Sequence, residues 1–285
     1  MLYRGYDQAG LDAQYFLRAR VTDFQAYFDD YAARSAAARR DLACQLDVPY
    51  GPGPSERLDI FPAAHPKAPV HCFIHGGYWQ AMDKSDFDYI ATGLVPAGAT
   101  VVVVNYALAP TVGMDEIVRQ NRAALAWVWR HATSFGADPH RIYLSGHSAG
   151  GHLTAMLLST DWRAVAADLP ADLVKGGCSL SGLYDLEPIR LCYLNEKLGL
   201  DRVTAARNSP ILQLPQQSAP LILSAGDQET DEFLRQQADY AAARKARNLP
   251  VELVAAPGLH HFSVVNELIR PASALHVAVR RQMGL

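Results

Sequence analysis

A single serine stands at position 148 in the segment Gly-His-Ser-Ala-Gly, directly after an apolar run and before a run of helix-forming residues. The pattern G-x-S-x-G is typical of a strand that reverses sharply into a helix, because Gly146 and Gly150 leave room for a tight turn. Such a turn pushes the serine hydroxyl clear of the sheet, and the helix start adds partial positive charge that favours an oxyanion. We interpret Ser148 as a candidate nucleophile; the alternative is a glycine-rich packing turn with an idle serine.

A second glycine-rich segment, His-Gly-Gly-Tyr-Trp, begins at His75 after the apolar run Pro-Val-His-Cys-Phe-Ile. Glycines let backbone N–H groups point into a site without side-chain obstruction, which is what a developing oxyanion needs. We expect the N–H groups of Gly77, Tyr78 and Ala149 to form an oxyanion hole, with Gly76 as an alternative donor. His75 is interpreted as ordering the loop, and the alternative for the segment is a plain β-turn.

The base that would take the serine proton is expected on a late loop. The segment Gly-Leu-His-His-Phe-Ser offers His260 and His261 after the final predicted strand. We favour His261, because the following Phe262 begins an apolar run that can anchor its neighbour, whereas His260 is free to face water.

The acid that would orient this base is expected after the apolar run Ala-Pro-Leu-Ile-Leu. Asp227 and Glu229 both follow that run, whereas Asp231 and Glu232 have the position of first-turn helix residues that complement the helix dipole. Either an Asp or a Glu can hold the imidazole tautomer and stabilise the imidazolium. The residues alone leave the choice between Asp227 and Glu229 open.

The elements that must position these residues alternate along the chain. Strands are predicted in ERLDIFP, PVHCFIHG, TVVVVNY, RIYLSG, VKGGCSLSG, APLILSAG and PVELVAAPG. Helices are predicted in DFDYIATGLVPAG, MDEIVRQNRAALAWVWRHAT, AGGHLTAMLLST, DEFLRQQADYAAARKARN and VVNELIRPASALHVAVRRQM, the last one broken near Pro271. Strands separated by helices predict an α/β fold with a mainly parallel, doubly wound sheet. Reactive groups in such sheets lie outside the carboxyl ends of the strands.

The first 45 residues are predicted to be largely helical. Four aromatic residues with the spacing of one helix face are Phe24, Tyr27, Phe28 and Tyr31. Thr22 and Gln25 have the spacing of a capping box at the start of this helix, and a break dense in Pro and Gly follows at VPYGPGPSE. We expect a single domain over residues 1–285, in which residues 1–45 form an N-terminal helical segment and a candidate cap.

The composition limits the classes of function. A chain of 285 residues with 49% apolar content is expected to bury one large core. The net charge of −3 gives no reason to expect a nucleic-acid or membrane partner. No run approaches the roughly 18 apolar residues that span a bilayer, and the first residues lack the apolar core of a signal peptide.

The four cysteines are widely spaced and form no C-x-x-C pair. This usage predicts free thiols and a cytoplasmic protein. No segment has the pattern of a metal, flavin or nucleotide site, so we expect no cofactor and a small-molecule substrate. The sequence leaves a homo-oligomer open.

Several segments, taken together and in order, resemble α/β-hydrolases of the kynurenine formamidase (arylformamidase) group, from about Tyr50 to the C-terminus. They are HGGYWQ, VVVVNYALAP, GHSAGGHLTAML, SGLYDLEPI and RNSP. The hormone-sensitive-lipase-like esterases are also similar, but they usually carry a third glycine where this chain has Tyr78. The resemblance implies the α/β-hydrolase fold and a triad of serine, acid and histidine, with the pair His261-Phe262 matching the group's His-Phe.

The resemblance also implies which acid completes the triad. In this group the acid stands three residues after the strand-end glycine and shortly before a Glu-Phe pair. Gly226, Glu229 and the pair Glu232-Phe233 reproduce that spacing, so the resemblance implies Glu229. The group usually has Asp at this position, and Glu229 is therefore a departure.

The function that the resemblance implies is a serine hydrolase that removes a formyl group from an aryl amine such as N-formylkynurenine. Tyr78, Trp79 and Tyr184 lie on segments near the predicted strand ends and are expected to line an aromatic substrate pocket; ordinary packing is the alternative. Two other functions remain open. One is a general carboxylesterase for short-chain or aryl esters, which would use the same machinery. The other is a non-catalytic binding module with a hydrolase fold.

Overall fold

The chain folds around one eight-stranded sheet, seen in a computed structural model that describes all 285 residues. Its strands are β1 (Gln45–Pro49), β2 (Arg57–Phe61), β3 (Ala68–Ile74), β4 (Thr100–Val104), β5 (Ala137–His147), β6 (Val174–Leu180), β7 (Leu221–Ser224) and β8 (Val251–Leu253). Their order across the sheet is β1-β2-β4-β3-β5-β6-β7-β8. Strand β2 is antiparallel to both of its neighbours, and all other neighbouring pairs are parallel. This is the α/β-hydrolase fold, and the predicted mainly parallel sheet is confirmed.

Helices occupy the connections between the strands. The α-helices are α1 (Gln8–Tyr15), α2 (Phe24–Asp41), α3 (Ala91–Leu94), α4 (Met114–His131), α5 (Ala149–Leu158), α6 (Trp162–Val165), α7 (Glu187–Leu191), α8 (Asn195–Leu198), α9 (Arg202–Arg207), α10 (Asp231–Ala246) and α11 (Ala274–Met283). Short 3₁₀ helices cover Leu17–Ala19, Lys84–Asp86, Asp88–Ile90, Ala132–Phe135, Pro210–Leu212 and Val264–Leu268. None of the helices combines the length and the apolar character that crossing a bilayer requires.

The apolar core lies on both faces of the sheet, because successive side chains of a strand point to opposite faces. In β4, Val102 and Val104 belong to the larger apolar layer, whereas Val101 and Val103 belong to the smaller one. All four are fully buried. A buried run of β-branched residues is typical of a strand that is covered on both faces, and this is why the sequence predicts β4 well.

The N-terminal helices are tied to the segment that follows β8. The Tyr31 hydroxyl on α2 donates a hydrogen bond to the carbonyl of Phe262. The Tyr27 hydroxyl lies 3.1 Å from Nε2 of His260, and Arg34 donates to Asn266 over 2.7 Å. Helix α2 therefore braces the loop that carries the candidate base.

The helix predicted over DFDYIATGLVPAG is corrected by the structure. The segment, residues 86–98, starts at the last residue of the 3₁₀ helix Lys84–Asp86 and continues through the 3₁₀ helix Asp88–Ile90 into the one-turn helix α3. The Asp83 side chain accepts a hydrogen bond from the Ser85 N–H and caps the first of them, and Phe87, with φ of −121°, interrupts the helical conformation. The side chains of Phe87 and its neighbours face the core, so packing overrides helix propensity here.

Two other local predictions differ from the structure. The predicted capping box of Thr22 and Gln25 is wrong: Asp23 precedes the first turn of α2, no side chain caps that turn, and Gln25 donates to Asp29 over 2.9 Å instead. Strand β1 was not predicted; it runs into the segment VPYGPGPSE, which was interpreted as a break. It is an edge strand with mostly exposed side chains, so it lacks the alternation that marks a half-buried strand.

Candidate active site

Ser148 occupies the sharp turn between β5 and α5, with a backbone φ of 58° and ψ of −117° that side-chain-bearing residues rarely adopt. The turn requires its glycines. A Cβ atom at Gly146 would stand 2.1 Å from the carbonyl oxygen of Gly150, and one at Gly150 would stand 1.9 Å from that of Ile74. The Ser148 N–H donates to the carbonyl of Leu180 over 2.8 Å, which fastens the turn to β6. The tight turn that positions the Ser148 hydroxyl therefore depends on glycine at 146 and 150, where no larger side chain fits.

The structure pairs His261 with Glu229. The ring Nδ1 donates to Oε2 of Glu229 over 2.8 Å, and both side chains are buried. Asp227, the other carboxylate that the residues alone left open, makes no contact with His261: it is exposed, and its Oδ1 accepts a hydrogen bond from the N–H of Gly258 over 2.8 Å. Glu229 has the longer reach back from the end of β7 to the imidazole.

The second carboxylate oxygen of Glu229 is held by donors that the sequence reading did not assign. It accepts hydrogen bonds from the N–H of Gly226 over 3.1 Å and from the hydroxyl of Ser181. Ser181 is buried at the end of β6 with φ of 48°, in the left-handed region. Ser181 could have been identified from the sequence by its position, because a polar residue directly after a strand of a parallel sheet lies at the edge that carries the reactive groups.

Ser148 and His261 line the same cavity, which has a volume of about 280 Å³. Since Nδ1 of His261 is bonded to Glu229, Nε2 is the ring nitrogen left for a proton transfer. The rings of Phe233 and His147 pack against His261 with centroids 4.7 Å and 4.6 Å away. The structure forms no hydrogen bond between the Ser148 hydroxyl and His261, a contact that serine hydrolases often tighten only once substrate is bound.

His147, next to the serine, restrains the base. Its Nε2 donates to the carbonyl of His261 over 2.8 Å. Burial, followed by repulsion from His261, lowers the pKa of His147 well below its ordinary value, so this ring stays neutral. The structure therefore offers one histidine, and not two, for proton transfer beside Ser148.

The loop after β3 brings free amide groups to the cavity. Gly77, with φ of 104°, and Tyr78, with φ of 51°, both line it. The N–H groups of both residues make no hydrogen bond within the chain. A Cβ atom at Gly76 would stand 3.2 Å from the Cβ of Ser148, so this loop lies directly against the candidate nucleophile. Ala149 is the first residue of α5, where N–H groups lack partners inside the helix.

The predicted aromatic pocket is partly wrong. Tyr78 lines the cavity and donates from its hydroxyl to the carbonyl of Tyr15 over 2.9 Å. Trp79 and Tyr184 do not line it; both are fully buried. Trp79 donates to Nδ1 of His152, and Tyr184 stacks on Tyr240 with centroids 4.3 Å apart. Trp79 and Tyr184 therefore pack in the interior instead of lining the cavity as had been expected.

The aromatic walls come mainly from segments that the sequence reading did not assign to the site. The N-terminal segment contributes Tyr15, Phe16, Leu17, Arg18, Phe28 and Tyr31. The region of α8 contributes Tyr193, Leu194 and Lys197. Phe28 and Tyr31 belong to the aromatic face that was visible in the sequence, but only the fold reveals that this face reaches Ser148.

The chain is similar to known hydrolases. The BD-FAE family model matches residues 58–163. A kynurenine formamidase from Danio rerio is 35% identical over 239 residues, covering 81% of this chain and 79% of the relative. Esterase LipQ from Mycobacterium tuberculosis is 31% identical over 165 residues, covering 52% of this chain and 37% of the relative. A solved structure of a candidate thioesterase from Silicibacter sp. TM1040 superposes with a TM-score of 0.84 at 31% identity, covering 95% of this chain and 98% of that one.

Proposed function

The chain belongs to the kynurenine formamidase family of α/β-hydrolases, and we propose that it hydrolyses the formamide of N-formyl aryl amines such as N-formylkynurenine. Its proposed catalytic triad is Ser148, His261 and Glu229. The observation that carries this proposal is the 2.8 Å pair of His261 and Glu229 on the cavity that also holds Ser148 at a strained turn.

In the first half of the reaction, Nε2 of His261 takes the proton of Ser148 while the serine oxygen attacks the formyl carbon. The tetrahedral oxyanion is received by the N–H groups of Gly77, Tyr78 and Ala149. Each such donor is typically worth on the order of 10²–10³ in rate. The carboxylate of Glu229 stabilises the imidazolium that forms.

In the second half, the imidazolium of His261 gives its proton to the departing aryl amine, leaving a formyl ester on Ser148. Water then attacks this ester with His261 again acting as the base, and formate leaves. The cavity supports an aryl leaving group, because 12 of its 19 lining residues are hydrophobic and Phe28, Tyr31 and Phe87 are among them.

The test compares kcat/KM for N-formylkynurenine and for p-nitrophenyl acetate. The proposal expects efficient deformylation, measured by the release of kynurenine, that falls on the order of 10⁶-fold in Ser148→Ala. A wild-type protein that turns over the ester but not the formamide would contradict it. Labelling of Ser148 by a fluorophosphonate, absent in Ser148→Ala, separates any enzyme from a binding module.

A general carboxylesterase is the second candidate function. The similarity to esterase LipQ favours it, and the same triad and amide donors would serve an ester. Activated phenyl esters are easy substrates, so ester turnover alone does not favour this alternative. Faster hydrolysis of an unactivated alkyl ester than of N-formylkynurenine would favour the carboxylesterase.

We further propose that residues 1–45 act as a fixed cap within a single domain, because six residues of this segment line the cavity. For the compartment, we propose the cytoplasm. All four cysteines are free and three are buried, and burial raises the pKa of the Cys192 thiol to about 12. Fractionation of the native host against a cytoplasmic marker enzyme tests the location.

A further inference from the structure

The cavity beside Ser148 carries two cations and no acid along its walls. Arg18, on the 3₁₀ helix Leu17–Ala19, and Lys197, on α8, both line it, and no Asp or Glu does. We propose that Arg18 and Lys197 form a subsite for a carboxylate, so that the preferred substrates are aryl compounds with an anionic group remote from the scissile bond. This inference rests on the proposed function and names the substrate class of the same site.

Both cations are available to a ligand. Arg18 and Lys197 are exposed, and their side chains take part in no ion pair or hydrogen bond within the chain. By contrast, the half-buried Arg190 is paired with Glu187 over 2.8 Å. The nearby Asp12 is already engaged, since it accepts hydrogen bonds from Gln8 and from the N–H of Tyr193.

The guanidinium of Arg18 is positioned without being neutralised. It lies over the rings of Phe24 and Phe28, 5.1 Å and 5.6 Å from their centroids. Stacking on aromatic faces orients a guanidinium and leaves its N–H donors free for a carboxylate. Phe28 itself lines the cavity, so the stacked cation stands where an aryl substrate would pass or rest.

The electrostatic consequence is selectivity by charge. A carboxylate that enters this cavity meets two positive groups beside low-dielectric aromatic walls, where charge-assisted hydrogen bonds are stronger than in bulk water. A substrate with a neutral amide in place of the carboxylate forms no such charge-assisted hydrogen bonds. The α-carboxylate of N-formylkynurenine, which lies at the far end of the molecule from the formamide, has the required chemistry. Because the contact is remote from the reacting atoms, it should act mainly on KM.

The experiment uses two esters that differ only in charge, 3-acetoxybenzoate and 3-acetoxybenzamide. The wild-type protein is expected to show the higher kcat/KM for the anion. Arg18→Met and Lys197→Met should each reduce the ratio of anionic to neutral kcat/KM by about two- to fivefold, as expected for a charge contact of exposed side chains. Arg18→Lys should retain part of the ratio, and added salt should lower it in the wild type.

Arg20→Met is the matched control, because Arg20 belongs to the same segment but does not line the cavity. Its ratio should equal that of the wild type, and thermal melting checks that every variant is folded. Equal ratios in the wild type, Arg18→Met and Lys197→Met would overturn the subsite.

Failure of the proposed function gives a different pattern. If the wild type cleaves these esters but not N-formylkynurenine, the formamidase proposal fails while the charge ratio still decides the subsite. If it cleaves neither, calorimetric binding of 3-hydroxybenzoate against 3-hydroxybenzamide decides it. Equal affinity of the wild type for the two ligands would overturn the subsite.

Discussion

The carboxylate of Glu229 is the side chain on which the proposed chemistry of His261 depends. Its two oxygens have separate tasks: Oε2 holds the imidazole, and Oε1 is held by Gly226 and Ser181. A carboxylate fixed at both ends keeps Nδ1 protonated and leaves Nε2 as the acceptor that the reaction needs.

Glu229→Gln should therefore reduce kcat by on the order of 10³–10⁴-fold, because the amide no longer stabilises the imidazolium. Asp227→Asn is the matched control and should stay near the wild-type rate, since the side chain of Asp227 bonds only to the backbone of Gly258. Steady-state kinetics on N-formylkynurenine or p-nitrophenyl acetate measure both variants. Comparable losses of kcat in Glu229→Gln and Asp227→Asn would contradict the assignment of Glu229 as the acid.

Ser181 permits a test that separates backbone strain from hydrogen bonding. Ser181→Ala and Ser181→Gly both remove the hydroxyl from Glu229, so we expect both to lower kcat, by about tenfold each. Since φ is 48° at this position, the glycine variant should be the more stable by more than about 1 kcal/mol in chemical denaturation. An alanine variant at least as stable as the glycine variant would argue against strain here.

The positions of the proposed catalytic residues were predicted from where strands end, whereas the choice of Glu229 over Asp227 came from the resemblance to a known family. Ser148 follows β5, and Glu229 and His261 follow β7 and β8, whose apolar runs are visible in the sequence. The assignments of Trp79 and Tyr184 failed because closeness along the chain to a strand end does not give the direction of a side chain. Arg18 and Lys197 were missed because their approach to Ser148 depends on long-range packing.

Helix α2 is anchored to the 3₁₀ segment 84–90 by buried charges. Arg39 donates to Asp88 over 2.6 Å, while Lys84 bonds to the buried Asp59 over 2.9 Å. Burial, followed by repulsion from Asp59, raises the pKa of Asp88 to about 7, against the lowering effect of Arg39. The attachment of α2 is therefore sensitive to pH.

A carboxyl whose pKa is higher in the folded than in the unfolded state holds more protons when folded, so its contribution to stability is lost as pH rises. For Asp88 this loss should run from its unfolded pKa near 4 to about 7. In wild-type protein the free energy of unfolding should thus be lower at pH 8 than at pH 5 by more than in Asp88→Asn. Urea denaturation of both proteins at the two pH values measures this, and identical pH dependence would contradict it.

The elements themselves were predicted to different degrees. Central strands such as β4 were clear, because buried β-branched runs have few other structures available. The edge strand β1 and the short helices α6 to α9 were not predicted, since each is fixed by its neighbours more than by its own pattern. The segment 86–98 was predicted as a helix from its pattern, but its large aromatic side chains, Phe87 and Tyr89, are buried in the core.

The molecule as a unit is held together by contacts between its two ends. Tyr31 bonds to the carbonyl of Phe262, and Tyr15 bonds to Glu232 on α10 over 3.1 Å. The N-terminal segment thus helps to form the site, and weakening its contacts should increase the mobility of the loop that carries His261.

Tyr31→Phe should lower the free energy of unfolding by about 1–3 kcal/mol, because it leaves a buried carbonyl without its donor. Tyr27→Phe, which removes a hydroxyl from the half-buried His260, should cost less, at most about 1 kcal/mol. Denaturation measures both, and amide hydrogen exchange in residues 259–264 should quicken in Tyr31→Phe. A larger loss in Tyr27→Phe would contradict the proposed bracing by Tyr31.

The walls of one small cavity are drawn from residues 15–18 and from residues 261–262. Translation proceeds from the amino end, so a nascent chain on the ribosome displays the aromatic wall and then the serine long before the imidazole emerges. Until then the serine has no base, and the loop that α2 braces has not been made. Competence for hydrolysis should therefore arise abruptly, in the last moments of biosynthesis, and a prematurely terminated product would be inert.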